Sequence, residues 1–147
     1  MKMLFKTKNQ VVPLIARLGL GIVMFPHGAQ KMLGWFGGYG FTGTMGYFTD
    51  TVGLPALIAF LVIFCEFFGS IGLITGLLTR LSAVGIACVM LGAALMVHLP
   101  NGFFMNWSGQ QAGEGFEYHL LALTLCVITF IKGGGLFSID RMIAGRE

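Results

Sequence analysis

The feature that most restricts this chain is the length of its uninterrupted apolar runs. Between Leu54 and Leu78 the one charged side chain is Glu66, and between Leu81 and Val97 there is none. Runs of this kind are long enough to cross a bilayer, which takes about 20 helical residues. Only helices and closed barrels satisfy their backbone in lipid, and the runs are continuous rather than alternating, so helices are expected. Composition agrees: of 147 residues 56% are hydrophobic and 10% charged, where an ordinary soluble domain carries about 25% charge.

Four spans follow, at about 11–31, 54–78, 81–98 and 118–131. The fourth is short, which calls for tilt, local thinning or an earlier helix start. The fold class expected is an all-α integral membrane protein, a four-transmembrane-helix bundle forming a single domain over 1–147. The N-terminal MKMLFKTKNQ has a basic flank, but the run behind it is long, contains Arg17 and ends in FPHGAQK. It reads as a retained first helix rather than a signal peptide.

Basic residues set the orientation. Lys2, Lys6 and Lys8 precede the first span, Arg80 joins the second to the third, and Lys132, Arg141 and Arg146 follow the fourth. The opposite side holds Lys31 beside Asp50, Glu114 and Glu117. The positive-inside rule then puts both termini in the cytoplasm, N-in and C-in. The net charge of +3 is too small and too spread along the chain for a nucleic-acid footprint. The first external connection, GWFGGYGFTGTMGYFTDTVGLP, is expected to hold a short interfacial helix over 41–52, because Phe41, Met45, Phe48 and Val52 recur at helical spacing. Trp35, Phe36, Tyr39 and Tyr47 suit the headgroup region. The internal LLTR makes spans two and three a tight antiparallel hairpin. After Ile131 three glycines break the helix, and the tail is expected to resume as a short amphipathic cytoplasmic helix.

Ionisable side chains inside such spans are costly and normally face a protein interior with a partner. At about 1.5 Å per residue, Arg17 falls about 20 Å below Lys31 and Glu66 about 18 Å below Leu54. The two therefore lie at comparable depth on neighbouring helices and are expected to form a mid-membrane ion pair, serving either helix register or binding and proton movement. Gly69, Ser70 and Gly76 share the Glu66 face, Gly21 and Gly28 share that of Arg17, and Gly72 and Gly76 form a G-x-x-x-G step; all suit close helix packing. His27 and Lys31 are an i, i+4 pair, His98 closes the third span, and Glu117 and His119 open the fourth. These five converge on the external side, where histidine could hydrogen-bond a quinone carbonyl or exchange protons.

No H-E-x-x-H or similar spacing supports a metal site, and no intrinsic cofactor motif is present. Cys65, Cys88 and Cys126 lie in apolar runs without C-x-x-C and read as buried small apolar residues.

Taken in order, RLGLGIVMFPHGAQKMLGWFGG, GFTGTMGYFTDTVGLP, EFFGSIGLITGLLTRLSA, HLPNGFF and GFEYHLLAL resemble the DoxX family of small four-helix bacterial membrane proteins. Arg17, His27, Gly28, Lys31, Glu66, Gly69 and Arg80 stand at the positions that resemblance implies. It further implies a bacterial inner-membrane location and a link to quinone chemistry, as in the membrane subunit of a thiosulfate:quinone oxidoreductase. The functional expectation is therefore a quinone-interacting oxidoreductase or oxidoreductase subunit. Glu66 and His98 are its expected catalytic residues, and Arg17, His27, Lys31, Glu117 and His119 its expected ligand-binding residues. Its expected partners are the lipid bilayer, a quinone, a redox protein and further copies of the chain. The competing expectation is a non-catalytic membrane anchor, assembly partner or lipid-binding protein. A small-solute transporter ranks below both, since inverted repeats and broken helices are lacking.

Overall fold

A computed structural model describes residues 5–145; Lys2 and Arg146, used in the charge reading, lie outside the described residues. Four long helices dominate: α1 (Val11–Leu33), α3 (Ala56–Thr75), α4 (Thr79–Ala93) and α5 (Glu117–Lys132), with short helices α2 (Gly40–Gly46) and α6 (Ile139–Ala144). No strand occurs among the described residues. α2 runs on through a π-helical turn, Tyr47–Thr51, so the short helix foreseen at 41–52 is present. α4 likewise continues through a π turn, Ala94–His98, and a 3-10 turn, Leu99–Asn101.

α1, α3 and α4 with its extension are long and apolar enough to cross a membrane. α5 has 16 residues, about 24 Å of helix. The long helices pack in a closed ring, α1 on α3, α3 on α4, α4 on α5 and α5 on α1, and α2 lies against α1 and α3. Leu20 and Met24, Leu73, Ala83, Ile86 and Met90, and Ala122 and Cys126 form one core to which all four helices contribute. Facing outward, Val12, Ile15, Leu57 and Leu121 are each 64–69% exposed. A belt this apolar around a packed bundle is what hydrocarbon, not water, solvates. The cysteines are free; Cys126 is buried as expected, but Cys65 is half-buried and Cys88 exposed on the apolar outer surface.

Thr7 Oγ1 donates to Lys132 O and accepts from Gly135 N at 2.7 Å, so both ends of the chain meet at one end of the bundle. This terminal end also carries the α3–α4 turn. The opposite, loop end carries the two long connections. At the terminal end the segment after α5 resumes as the short helix α6, as expected, and is pinned to the bundle. Leu136 N donates to Gln10 O and Asp140 N to Gly76 O. The Asp140 carboxylate accepts from Leu78 N at 2.7 Å and Thr79 N at 2.8 Å. Those contacts hold Leu78 at φ 49°, a left-handed conformation costly for a branched side chain, and they cap the start of α4.

Candidate functional site

Helices α1 and α3 run antiparallel, and two glycines seven residues apart set their register. A Cβ at Gly21 would meet Leu73 Cβ at 3.0 Å, and one at Gly28 would meet Phe67 Cα at 2.6 Å and Glu66 O at 2.8 Å. The backbones touch at these places because no side chain intervenes. Residue 28 is thus level with residue 66, and residue 17 lies level with the C-terminus of α3. Arg17 and Glu66 are therefore about 16 Å apart along the axis, and the mid-membrane pair expected from the sequence does not form. That pairing assumes that Lys31 and Leu54, the outer ends of the two helices, are level. In fact α3 projects beyond the end of α1 at the loop end, which shifts Glu66 toward Lys31.

Arg17 instead closes the terminal end. Its Nε donates to Gly134 O at 2.7 Å, Nη1 to Leu73 O and Ile74 O at 2.8 and 2.7 Å, and Nη2 to Leu136 O and Phe137 O at 3.1 and 3.0 Å. All five guanidinium N–H groups are matched, and the residue is 1% exposed. A cation suits the carbonyl end of a helix dipole. Gly76, part of the expected G-x-x-x-G step, is used here: it ends α3 at φ 71°, and a Cβ there would meet Ser138.

Glu66 finds Lys31 instead, with Nζ 2.8 Å from Oε1. Gly28 places this contact, since Lys31 stands one turn beyond it. Lys31 is 26% exposed and Glu66 3%. The second carboxylate oxygen, Glu66 Oε2, is sealed and has no hydrogen-bond partner among the described residues.

A second pair stands across the loop end. The His98 and His119 rings lie with centroids 4.2 Å apart. His98 Nδ1 is 2.8 Å from Glu114 O in the second long loop, and the Glu114 carboxylate accepts from Asn106 N. His119 is 5% exposed, and its Nδ1 is likewise sealed without a partner. Tyr118 sets edge-on to His119 at 5.5 Å and donates its hydroxyl to Met24 Sδ at 3.4 Å, linking α5 to α1. Three further sealed atoms lack partners: Thr79 Oγ1, Thr129 Oγ1 and Arg80 Nε. Two are neutral hydroxyls, and Arg80 is already bonded to Phe130 O and Lys6 O. Glu66 Oε2 is the sealed anionic acceptor, the most costly kind to leave unpaired.

The structure thus brings together Lys31 with Glu66 and His98 with His119, both near the loop end. It leaves His27 exposed, its backbone carbonyl 3.5 Å from Lys31 Nζ. Glu117 is half-buried in the first turn of α5, with no side-chain hydrogen bond among the described residues. Arg17 lies at the other end. Tyr118, Glu114 and Met24 were missed by sequence reasoning. For Tyr118 a signal existed, its place between Glu117 and His119; Glu114 acts chiefly through its backbone oxygen, which sequence does not mark.

The DoxX family model matches residues 12–99, a stretch that includes Arg17, Lys31, Glu66 and His98 and stops before His119. A protein of Bacillus subtilis (strain 168) named "Putative oxidoreductase CatD" is 31% identical over 134 residues, 91% of this chain and 88% of its own length. A protein of Escherichia coli (strain K12) named "Inner membrane protein YqjF" is 28% identical over 138 residues, 94% of this chain and 96% of its own length. No solved structure matches.

Proposed function

This chain belongs to the DoxX family, and from that premise we propose that it is a quinone-interacting oxidoreductase, or the membrane subunit of one, in the bacterial inner membrane. All four long helices cross the bilayer in this reading, the short α5 with local thinning, and both termini are cytoplasmic. The family match and the oxidoreductase name of one relative support the class of function. The observation that carries the site is a pair of sealed, unpartnered polar atoms near the loop end, Glu66 Oε2 and His119 Nδ1. Unpaired buried polar groups are costly, and a ligand's polar atoms are a reason for them to persist.

A bound quinone would supply a two-electron, two-proton couple. The protein supplies the surroundings. Lys31 fixes one oxygen of Glu66 and orients the other. His119 offers a ring nitrogen that either gives or takes a hydrogen bond, and His98 packs against it and is itself held by the Glu114 carbonyl. His27 is exposed and Glu117 half-buried, so both stand nearer the surface than Glu66 and His119. Arg17 serves the scaffold. Electrons pass to or from a redox partner protein, since the chain carries no redox-centre motif, and assembly as a homo-oligomer belongs to the same proposal.

The test is to purify the protein gently from bacterial membranes, extract bound small molecules for mass spectrometry, and measure quinone reduction with membrane redox partners restored. Quinone or quinol retained by the wild-type protein supports the reading. A preparation that retains neither quinone nor quinol and leaves quinone reduction unchanged overturns it. One observation favours a non-catalytic docking protein: Tyr39 and Trp107 at the loop end are 84% and 86% exposed. That reading requires His98→Ala to leave function intact.

A further inference from the structure

The Lys31–Glu66 pair also restricts which oxidation state of the couple the site can hold, an inference that rests on the quinone reading above. Lys31 Nζ takes Glu66 Oε1 at 2.8 Å, and Oε2 is left sealed without a donor. An ion-paired carboxylate is an acceptor only, and a quinone carbonyl oxygen is also an acceptor only. Bringing the carbonyl to Oε2 sets lone pairs against lone pairs in a place with little water, where the mismatch is poorly screened. A phenolic hydroxyl brought to the same point donates a charge-assisted hydrogen bond, one of the stronger kinds.

We propose that this pair selects the reduced, dihydroxy-aromatic member of the couple, with Glu66 Oε2 accepting one of its hydroxyls. His119 does not impose the same choice, because its Nδ1 is an acceptor in one tautomer and a donor in the other. The selectivity therefore resides in Glu66, and Lys31 maintains it by keeping the carboxylate in its ion pair. Glutamine at 66 has the same outline but carries both a donor and an acceptor, so it accommodates either oxidation state.

The experiment uses the full-length protein in lipid nanodiscs, titrated anaerobically by calorimetry with three probes: duroquinol, duroquinone and duroquinol dimethyl ether. Ring methyl groups block addition of the free cysteine thiols to the quinone, and the ether keeps the reduced ring while removing both donors. The expected result is that the protein binds duroquinol at least about tenfold more tightly than either other probe, the scale of one hydrogen bond to a charged group. Glu66→Gln is expected to bring duroquinol and duroquinone within about threefold of each other. Wild-type protein that binds duroquinone or the ether as tightly as duroquinol overturns the selectivity, and so does a Glu66→Gln variant that keeps the preference. Binding of none of the three probes overturns the quinone reading itself, whereas equal binding of all three leaves that reading standing and removes only the selectivity. The wild-type comparison needs no substitution, so a poorly folding variant does not remove the test.

Discussion

At the terminal end of the bundle Arg17 has a carbonyl for each of its five N–H groups, drawn from α3 and from the segment after α5. At the loop end Glu66 has a partner for one oxygen and none for the other, and His119 has a sealed nitrogen with nothing bonded to it. Both ends bury charge in an apolar bundle, yet one is closed, with every donor matched, and the other is left open in its hydrogen bonding. Burial alone does not tell a structural charge from a functional one. How completely its hydrogen-bonding capacity is met does.

The contrast is best attacked first at its closed end. Arg17→Ala strips donors from several buried carbonyls at once, and about 3–5 kcal/mol of stability should be lost, each orphaned group costing about 1–3 with partial relaxation. Thermal unfolding in detergent and the yield of folded protein measure this. Asp140→Ala removes two charge-assisted bonds to the Leu78 and Thr79 amides, for about 2–3 kcal/mol; an unchanged melting temperature would show the tail to be dispensable. Gly28→Ala puts a methyl 2.6 Å from Phe67 Cα and should cost about 1–3 kcal/mol through overpacking, while pulling Lys31 from Glu66 and so weakening ligand retention. Gly28 is thus where the scaffold and the open site meet.

At the open end the stability effects shrink and the binding effects grow. Glu66→Gln should change stability by less than about 1 kcal/mol, because Lys31 can carry its ammonium to water along a flexible stem, yet it should abolish the preference for the reduced ligand. A large fall in melting temperature would make Glu66 as structural as Arg17. His27→Ala should matter least, within about 0.5 kcal/mol as for other exposed positions, with ligand binding unchanged. If His27→Ala lost binding, the site would have to be redrawn to include the face of α1 on which that histidine is exposed.

Much of the fold was legible. The apolar runs gave the four long helices to within a few residues, although 54–78 proved to be Ala56–Thr75, because Pro55 and Gly76 bound the helix inside its hydrophobic run. Phe41, Met45, Phe48 and Val52 announced the short helix in the first long connection. The site was half legible. Residues 98 and 119 were placed near one another, but Lys31 was grouped with His27 by local spacing rather than with Glu66. The Arg17–Glu66 pairing failed because it assumed level helix ends. Its corrective clue was present in the glycines at 21 and 28, which fix where α1 touches α3. Arg17's true partners had no clue at all, since backbone carbonyls look alike in any sequence.

The sequence by itself determined that this chain forms apolar helices around a few ionisable groups that must find partners. Hydrophobic length and the cost of buried charge are properties of residues in order along one strand. Which charge meets which partner was decided by tertiary structure. Antiparallel register is set by where two backbones can touch, and here Gly28 against Glu66 and Phe67 carried Lys31 to the carboxylate and left Arg17 to the carbonyls at the far end.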